Sequence, residues 1–107
     1  MTKAKDLLLP LGSVVRLKKG TALLIIQGYM PNDLRNNNKI YDYEGNIFPT
    51  GRQGENVILF NVEDIDEVLF VGYQTDASIK YRETISKVRE NLKKGMTIEE
   101  AVQKAIN

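Results

Sequence analysis

LPLGSVVRLKKGTALLIIQGY, residues 9–29, decides how this chain is read. Its glycines, paired lysines and threonine invite comparison with a phosphate-binding loop, whereas its apolar spacing describes two strands and a turn. A phosphate loop needs a glycine directly before its lysine, a serine or threonine after it and a helix beyond, so that backbone N–H groups and the ammonium converge on one anion. Leu17 stands where that glycine belongs, a second lysine follows Lys18, and the ALLII of residues 22–26 ends in β-branched residues that suit a strand. The strand reading accounts for every residue. Over residues 13–18, Val15 and Leu17 share one face and Arg16 and Lys18 the other, as in a half-buried strand. Lys19-Gly20 is expected to turn the chain, with the glycine at positive φ. Residues 21–27 are apolar on both faces, which predicts a central strand of a sheet or small barrel, and Gly28 marks a bulge or close approach.

The chain has 107 residues, enough for one domain with a modest core and too few for separate substrate and cofactor domains. Its 15 basic and 14 acidic residues leave a net charge of +1, so no long-range field directs it to nucleic acid or an anionic membrane. Neither cysteine nor histidine is present, which removes disulfides, thiolate nucleophiles, cysteine–zinc sites, the commonest general base and the commonest transition-metal ligand together. No apolar run approaches the length of a membrane span, and residues 3–10 lack the length and cleavage site of a signal peptide. These features lead us to expect a cytoplasmic protein with no cofactor and no membrane insertion.

Beyond residue 29, PNDLRNNN (31–38) reads as a polar loop, residues 39–43 as a short aromatic strand, Glu44-Gly45-Asn46 as a turn and Ile47-Phe48 as a brief return. A second loop covers residues 49–54. NVILFN (56–61) is a further strand with either Val57 and Leu59 or Ile58 and Phe60 turned inward. Asn61 then caps a single helical turn over residues 62–65, and EVLFVGY (67–73) is the last strand. The period next lengthens: Tyr81, Ile85, Val88 and Leu92 form one helical stripe, with Asp76 expected at the N-cap and Gly95 just past the C-terminus. Thr97 and Glu100 form a capping box that opens a second helix with Ile98, Ala101, Val102, Ala105 and Ile106 on its apolar side. This apolar surface needs a cover, either from the chain's own sheet or from a helical partner.

Little in the sequence signals chemistry. Glu63, Asp64, Asp66 and Glu67 are the densest carboxylates, but no glycine turn or closing glutamate makes them a calcium loop. Solvated charges at a helix start account for them. Ser13, Ser78 and Ser86 have no histidine to activate them, and with balanced charge the five tyrosines are not read as a base-stacking platform, since tyrosines in strands are ordinary sheet residues. We expect a protein that is not an enzyme.

The succession LPLGSVVRLKKG, LLIIQGY, YDYEGNIFPTG and FNVEDIDEVLFVGY resembles a family of small firmicute proteins that carry a domain of unknown function. That family is encoded beside toxin genes of the type VIIb secretion system, often those with LXG domains. The resemblance covers residues 9–73, with LPLGSVV and IDEVLFVGY as its most specific parts together. Thr50 and Gln27 depart from the pattern. The resemblance implies an adaptor or chaperone that binds an exported LXG toxin or its helical targeting factors, and it supplies no catalytic residues. Two other readings stand beside it: an immunity protein that binds the toxin's catalytic domain, and a small nucleic-acid-binding barrel.

The sequence thus predicts an α+β fold within one domain spanning residues 1–107: an N-terminal tail over 1–8, a β-rich part over 9–73 and a helical hairpin over 76–107. The β-rich part is a strongly bent antiparallel sheet or partly open SH3-like barrel of about five strands. Expected contacts with a protein partner are Arg16, Lys18, Tyr41 and Tyr43 on strands and hairpins, and Tyr81, Val88 and Leu92 on the first helix. Self-association through the last helices is compatible with this reading.

Overall fold

The computed structural model describes residues 7–107. The fold is α+β, a five-stranded antiparallel sheet followed by a helical hairpin, as the sequence pattern predicts. The described residues form two compact units, one of residues 9–73 and one of residues 74–107 together with 7 and 8. Of the expected N-terminal tail, residues 1–6 lie outside the described residues, while Leu8 is buried.

In the first unit, β1 (Val14–Leu17) and β2 (Leu23–Tyr29) are the strands expected from the opening stretch. A short ladder follows, β3 (Asn32–Asp33) against β4 (Lys39–Ile40), and then β5 (Tyr43–Phe48), β6 (Ile58–Phe60) and β7 (Ile65–Phe70). The sheet order is β6-β5-β2-β1-β7, so β2 is central and β6 and β7 are the two edges of a sheet that does not close. Val15, Leu24, Ile26, Tyr43 and Phe60 form the buried centre.

The two edge strands are consecutive in sequence, and this forces the sheet to bend. Laid flat, five strands would hold their outer members about 19 Å apart. Residues 61–64 must bridge the gap, and because Val62–Asp64 coil into a single 3₁₀ turn, the connection reaches only about 13 Å. Hydrogen bonds hold both ends of this connector. The buried Asp42 accepts from the Val62 N–H at 2.8 Å, the Asp42 N–H donates to Asn61 Oδ1 at 3.0 Å, and the Lys18 N–H donates to the Asp64 carbonyl at 2.9 Å. Asp64 Oδ2 in turn accepts from the Asn61 N–H.

Several local expectations are corrected. Glu44-Gly45-Asn46 is not a turn but the middle of β5, and residues 39–43 divide between the small ladder and the start of β5. Gly45 is required by space. A Cβ there would stand 2.7 Å from the Ile25 carbonyl oxygen and 3.2 Å from the Phe60 ring. Gly20 has no positive φ, because five residues rather than a two-residue turn connect β1 to β2. The bulge expected near Gly28 is present, with the β2–β5 register skipping Gln27. Val14 and Val15 are both buried, and a register shift against β7 falls between them. In β6, Ile58 and Phe60 rather than Val57 and Leu59 are turned inward, with Phe60 fully buried.

In the second unit, the N-cap of α1 (Asp76–Lys93) lies one residue before the Asp76 expected from sequence. Thr75 is the N-cap, its Oγ1 accepting from the Ser78 N–H at 3.0 Å while Ser78 Oγ accepts from the Thr75 N–H. Gly95, at φ +97°, follows the C-cap as expected. Thr97 and Glu100 form the predicted capping box of α2 (Ile98–Ile106). The helices meet at Ala101, which is fully buried, and the buried Asn91 donates from Nδ2 to the Ala101 carbonyl at 3.1 Å. The side chains α1 buries are Arg82, Val88 and Asn91, a face rotated from the expected stripe so that Tyr81 points outward.

Two consequences can be measured by urea denaturation. A Cβ on Gly72 would lie 2.1 Å from the Leu11 carbonyl oxygen, so Gly72→Ala is expected to cost about 3 kcal/mol or more, whereas Gly20→Ala, with nothing within 4 Å, should change stability by less than about 1 kcal/mol. Asp42→Ala leaves the Val62 N–H without its charged acceptor and is expected to cost about 1.5–3 kcal/mol.

Candidate functional site

The segments most conspicuous in the sequence meet inside the first unit. The Leu9 N–H donates to the Tyr43 hydroxyl at 2.8 Å, and the Leu9 carbonyl accepts from the Tyr29 hydroxyl at 2.6 Å. The Tyr43 ring stacks on Phe60 at 5.3 Å between centroids and lies 6.2 Å from that of Tyr29. Gly12, at φ +89°, turns the chain so that its N–H reaches the Ile26 carbonyl, and the Ile26 N–H returns to Ser13. The Ser13 hydroxyl, fully buried, accepts from the Gly72 N–H at 2.9 Å. Ser13 is therefore a structural acceptor, and LPLGS, QGY and VGY are parts of one hydrogen-bonded junction.

This junction corrects one expected contact residue. Tyr43 is 1% exposed, committed by its ring to the core and by its hydroxyl to Leu9, and cannot touch a partner. Val88 is likewise buried and is not a contact, and Leu92 is half-buried on α1. Tyr81 is well exposed. Arg16 is held on the sheet by Glu67 and, at 3.7 Å, by Asp66, while the Lys18 side chain is exposed. Tyr41 is half-buried, with the Lys39 ammonium 4.9 Å from its ring centroid. Within the first unit, Arg16 is tied to β7 whereas Tyr41 follows β4, and the two build no common site.

Three of the four carboxylates of residues 63–67 are absorbed locally: Asp64 caps the connector, and Asp66 and Glu67 pair with Arg16. Among the described residues, no three carboxylates lie close enough to share a metal ion. Nor is any helix among them long and apolar enough to cross a membrane.

Two surfaces stand out instead. The first is β7 and the residues after it. Val68, Leu69, Phe70 and Val71 are all exposed, Phe70 by 60%, and Tyr73 by 86%. The close approach of Gly72 to the Leu11 carbonyl brings the exposed Leu11 beside the end of this run. A stretch apolar on both faces reads as a buried central strand, which is why the sequence did not mark these residues as surface. The register of β7 against β1 skips both Asp66 and Leu69. These irregularities break strict alternation along the strand. The second surface is a groove of about 580 Å3 beside β6, bounded by the β3–β4 hairpin and including Tyr41.

The chain is therefore a small α+β domain with an open, bent sheet and two differently equipped edges. It matches the model of the family described as Domain of unknown function (DUF4176) over residues 8–81, and it belongs to that family. No curated protein and no solved structure matches the chain. The matched segment contains all of the junction described above.

The different uses of Tyr43 and Arg16 can be separated by thermal or urea denaturation. Tyr43→Phe keeps the stacked ring but leaves the Leu9 N–H without its acceptor, at an expected cost of about 1–3 kcal/mol. Arg16→Ala breaks a partly exposed ion pair and is expected to cost less than about 1 kcal/mol, a difference that shrinks as salt is raised.

Proposed function

We propose that this chain is a non-catalytic, cytoplasmic protein-binding factor that serves toxin export by a type VIIb secretion system. In this reading it acts as adaptor or chaperone for an LXG toxin or for the toxin's helical targeting factors. The observation that carries it is the exposed apolar run Val68–Val71 with Leu11 and Tyr73. Aromatic and aliphatic side chains concentrated on one strand are the composition of a protein-contact patch, and such a patch is an aggregation liability when nothing covers it. The link to toxin export rests on the resemblance of LPLGSVV and IDEVLFVGY to proteins encoded in such loci. The family match over residues 8–81 supports the resemblance at the level of the domain. A composition without histidine or cysteine, and the structural use of Ser13 and the 63–67 carboxylates, support a binding role over a catalytic one.

The test is co-expression with the separated N-terminal LXG domain and C-terminal toxin domain encoded beside this chain, read by pull-down and size exclusion. Capture of the LXG domain is the expected result. Phe70→Glu, at an exposed position that leaves the core intact, should weaken that capture roughly tenfold or more. Capture of the toxin domain alone, with loss of toxicity, would replace the adaptor by an immunity protein. Retention of neither domain would overturn both.

A further inference from the structure

The two edges of the sheet differ in a way that identifies a second binding surface. β7 is interrupted twice in its pairing with β1, whereas β6 pairs with β5 without a break: Tyr43 with Phe60, Glu44 with Leu59 and Gly45 with Ile58. Edge strands are commonly blunted by bulges, and β6 lacks that device. Glu44 and Leu59 are cross-strand neighbours, so they share a face, and Val57 joins Leu59 on it by alternation. The groove beside β6 is lined by the apolar Val57 and Leu59, by Tyr41 and by the carboxylates of Asp33, Glu44 and Glu55.

The carboxylates lining this groove outnumber its cations, even with the Lys39 ammonium against Tyr41. Among the described residues Asp33, Glu44 and Glu55 make no ion pair, whereas Asp66 and Glu67 at the other edge both reach Arg16. Asp33 instead accepts from the backbone N–H of Arg35, which also lines the groove. The three carboxylates are also too dispersed to hold one metal ion together. Three carboxylates that share a groove but not a metal ion call for a ligand with several separate cations. The volume, about 580 Å3, falls within the roughly 300–1,000 Å3 of ligand clefts, and a free, regular strand margin suits an extended backbone.

From this we infer that the β6 groove takes an extended segment of a partner protein bearing lysine or arginine side chains. The segment runs along β6 with its lysine or arginine side chains on the face that Glu44, Val57 and Leu59 share, their aliphatic stems over Val57 and Leu59 and their cations facing Glu44, Glu55 and Asp33. Because β6 has only three residues, backbone pairing contributes few bonds, and charge decides which segment binds. This surface is separate from the apolar run on β7, and the inference does not rest on the toxin-export reading.

The experiment uses the full chain, isotope-labelled for NMR, titrated with a decapeptide of alternating lysine and valine at low salt. A decapeptide of alternating glutamate and valine is the control. The expected result is saturable shifts in the amides of residues 31–35, 41 and 55–59 with the lysine peptide alone, lost as salt is raised. Glu55→Lys, at a fully exposed position, and Glu44→Gln should together weaken binding roughly tenfold, with the amide spectrum elsewhere unchanged. Glu55→Lys by itself should weaken it in the same direction, which guards against a folding defect at Glu44. No shifts at millimolar peptide, shifts that map outside the groove, or equal binding of the glutamate peptide would each overturn the proposal.

Discussion

The four-residue connection between β6 and β7 is the constraint from which the rest of the sheet follows. Strands at opposite edges of a flat sheet could not be joined by residues 61–64, so the sheet must curl until its margins approach. Curling needs places where the ladder yields. It yields at Gln27 in β2 and at Asp66 and Leu69 in β7, all of which the register skips. The buried Asp42 sets the position of the connector by accepting from the Val62 N–H, while its own N–H donates to Asn61 Oδ1. A buried carboxylate is costly unless its oxygens are satisfied, so a group that spends its hydrogen bonds on the connector fixes one geometry in preference to others.

A second set of contacts closes the far end of the sheet. Tyr29 and Tyr43 take both backbone groups of Leu9, and Ser13 takes the N–H of Gly72. First and last segments of the unit are thereby joined across 59 residues of sequence by one hydrogen bond. Gly72 must lack a side chain because the Leu11 carbonyl occupies that space. The presence of Ser13 and Gly72 in the segment matched by the family model is therefore accounted for by folding, while their neighbours Leu11, Val71 and Tyr73 stay exposed.

This explains how much could be read from sequence. Strand and helix periods were legible because they reflect which side of an element is wet: β1 and β2, the two helices, the Thr97–Glu100 box and Gly95 lie where the pattern puts them. Glycine misled wherever its reason was space instead of backbone conformation. Gly45 looks like a turn residue among Glu44 and Asn46, yet it is demanded by the Phe60 ring on an adjacent strand. The candidate surfaces were harder still. Exposure of a tyrosine depends on its partners, so Tyr41 and Tyr43, two residues apart, end as a groove wall and a core clamp. Likewise LFV at 69–71 is apolar enough to be core and becomes surface only because the chain order makes β7 an edge.

An apolar edge strand is hazardous, since it offers both unpaired backbone and sticky side chains to any passing strand. The irregular pairing of β7 separates these two properties. With Asp66 and Leu69 skipped, its backbone no longer presents an even row of donors and acceptors, while Val68, Phe70 and Val71 still present apolar area. The ion pairs from Arg16 to Asp66 and Glu67 add charge at the strand's start, a further discouragement to edge pairing. What remains is a surface suited to side-chain packing against a partner's face, for which an amphipathic helix is the simplest complement. β6 carries the opposite combination, a regular backbone margin beside a groove richer in carboxylates than in cations. The two edges of one bent sheet thus present different chemistry, one apolar and the other acidic.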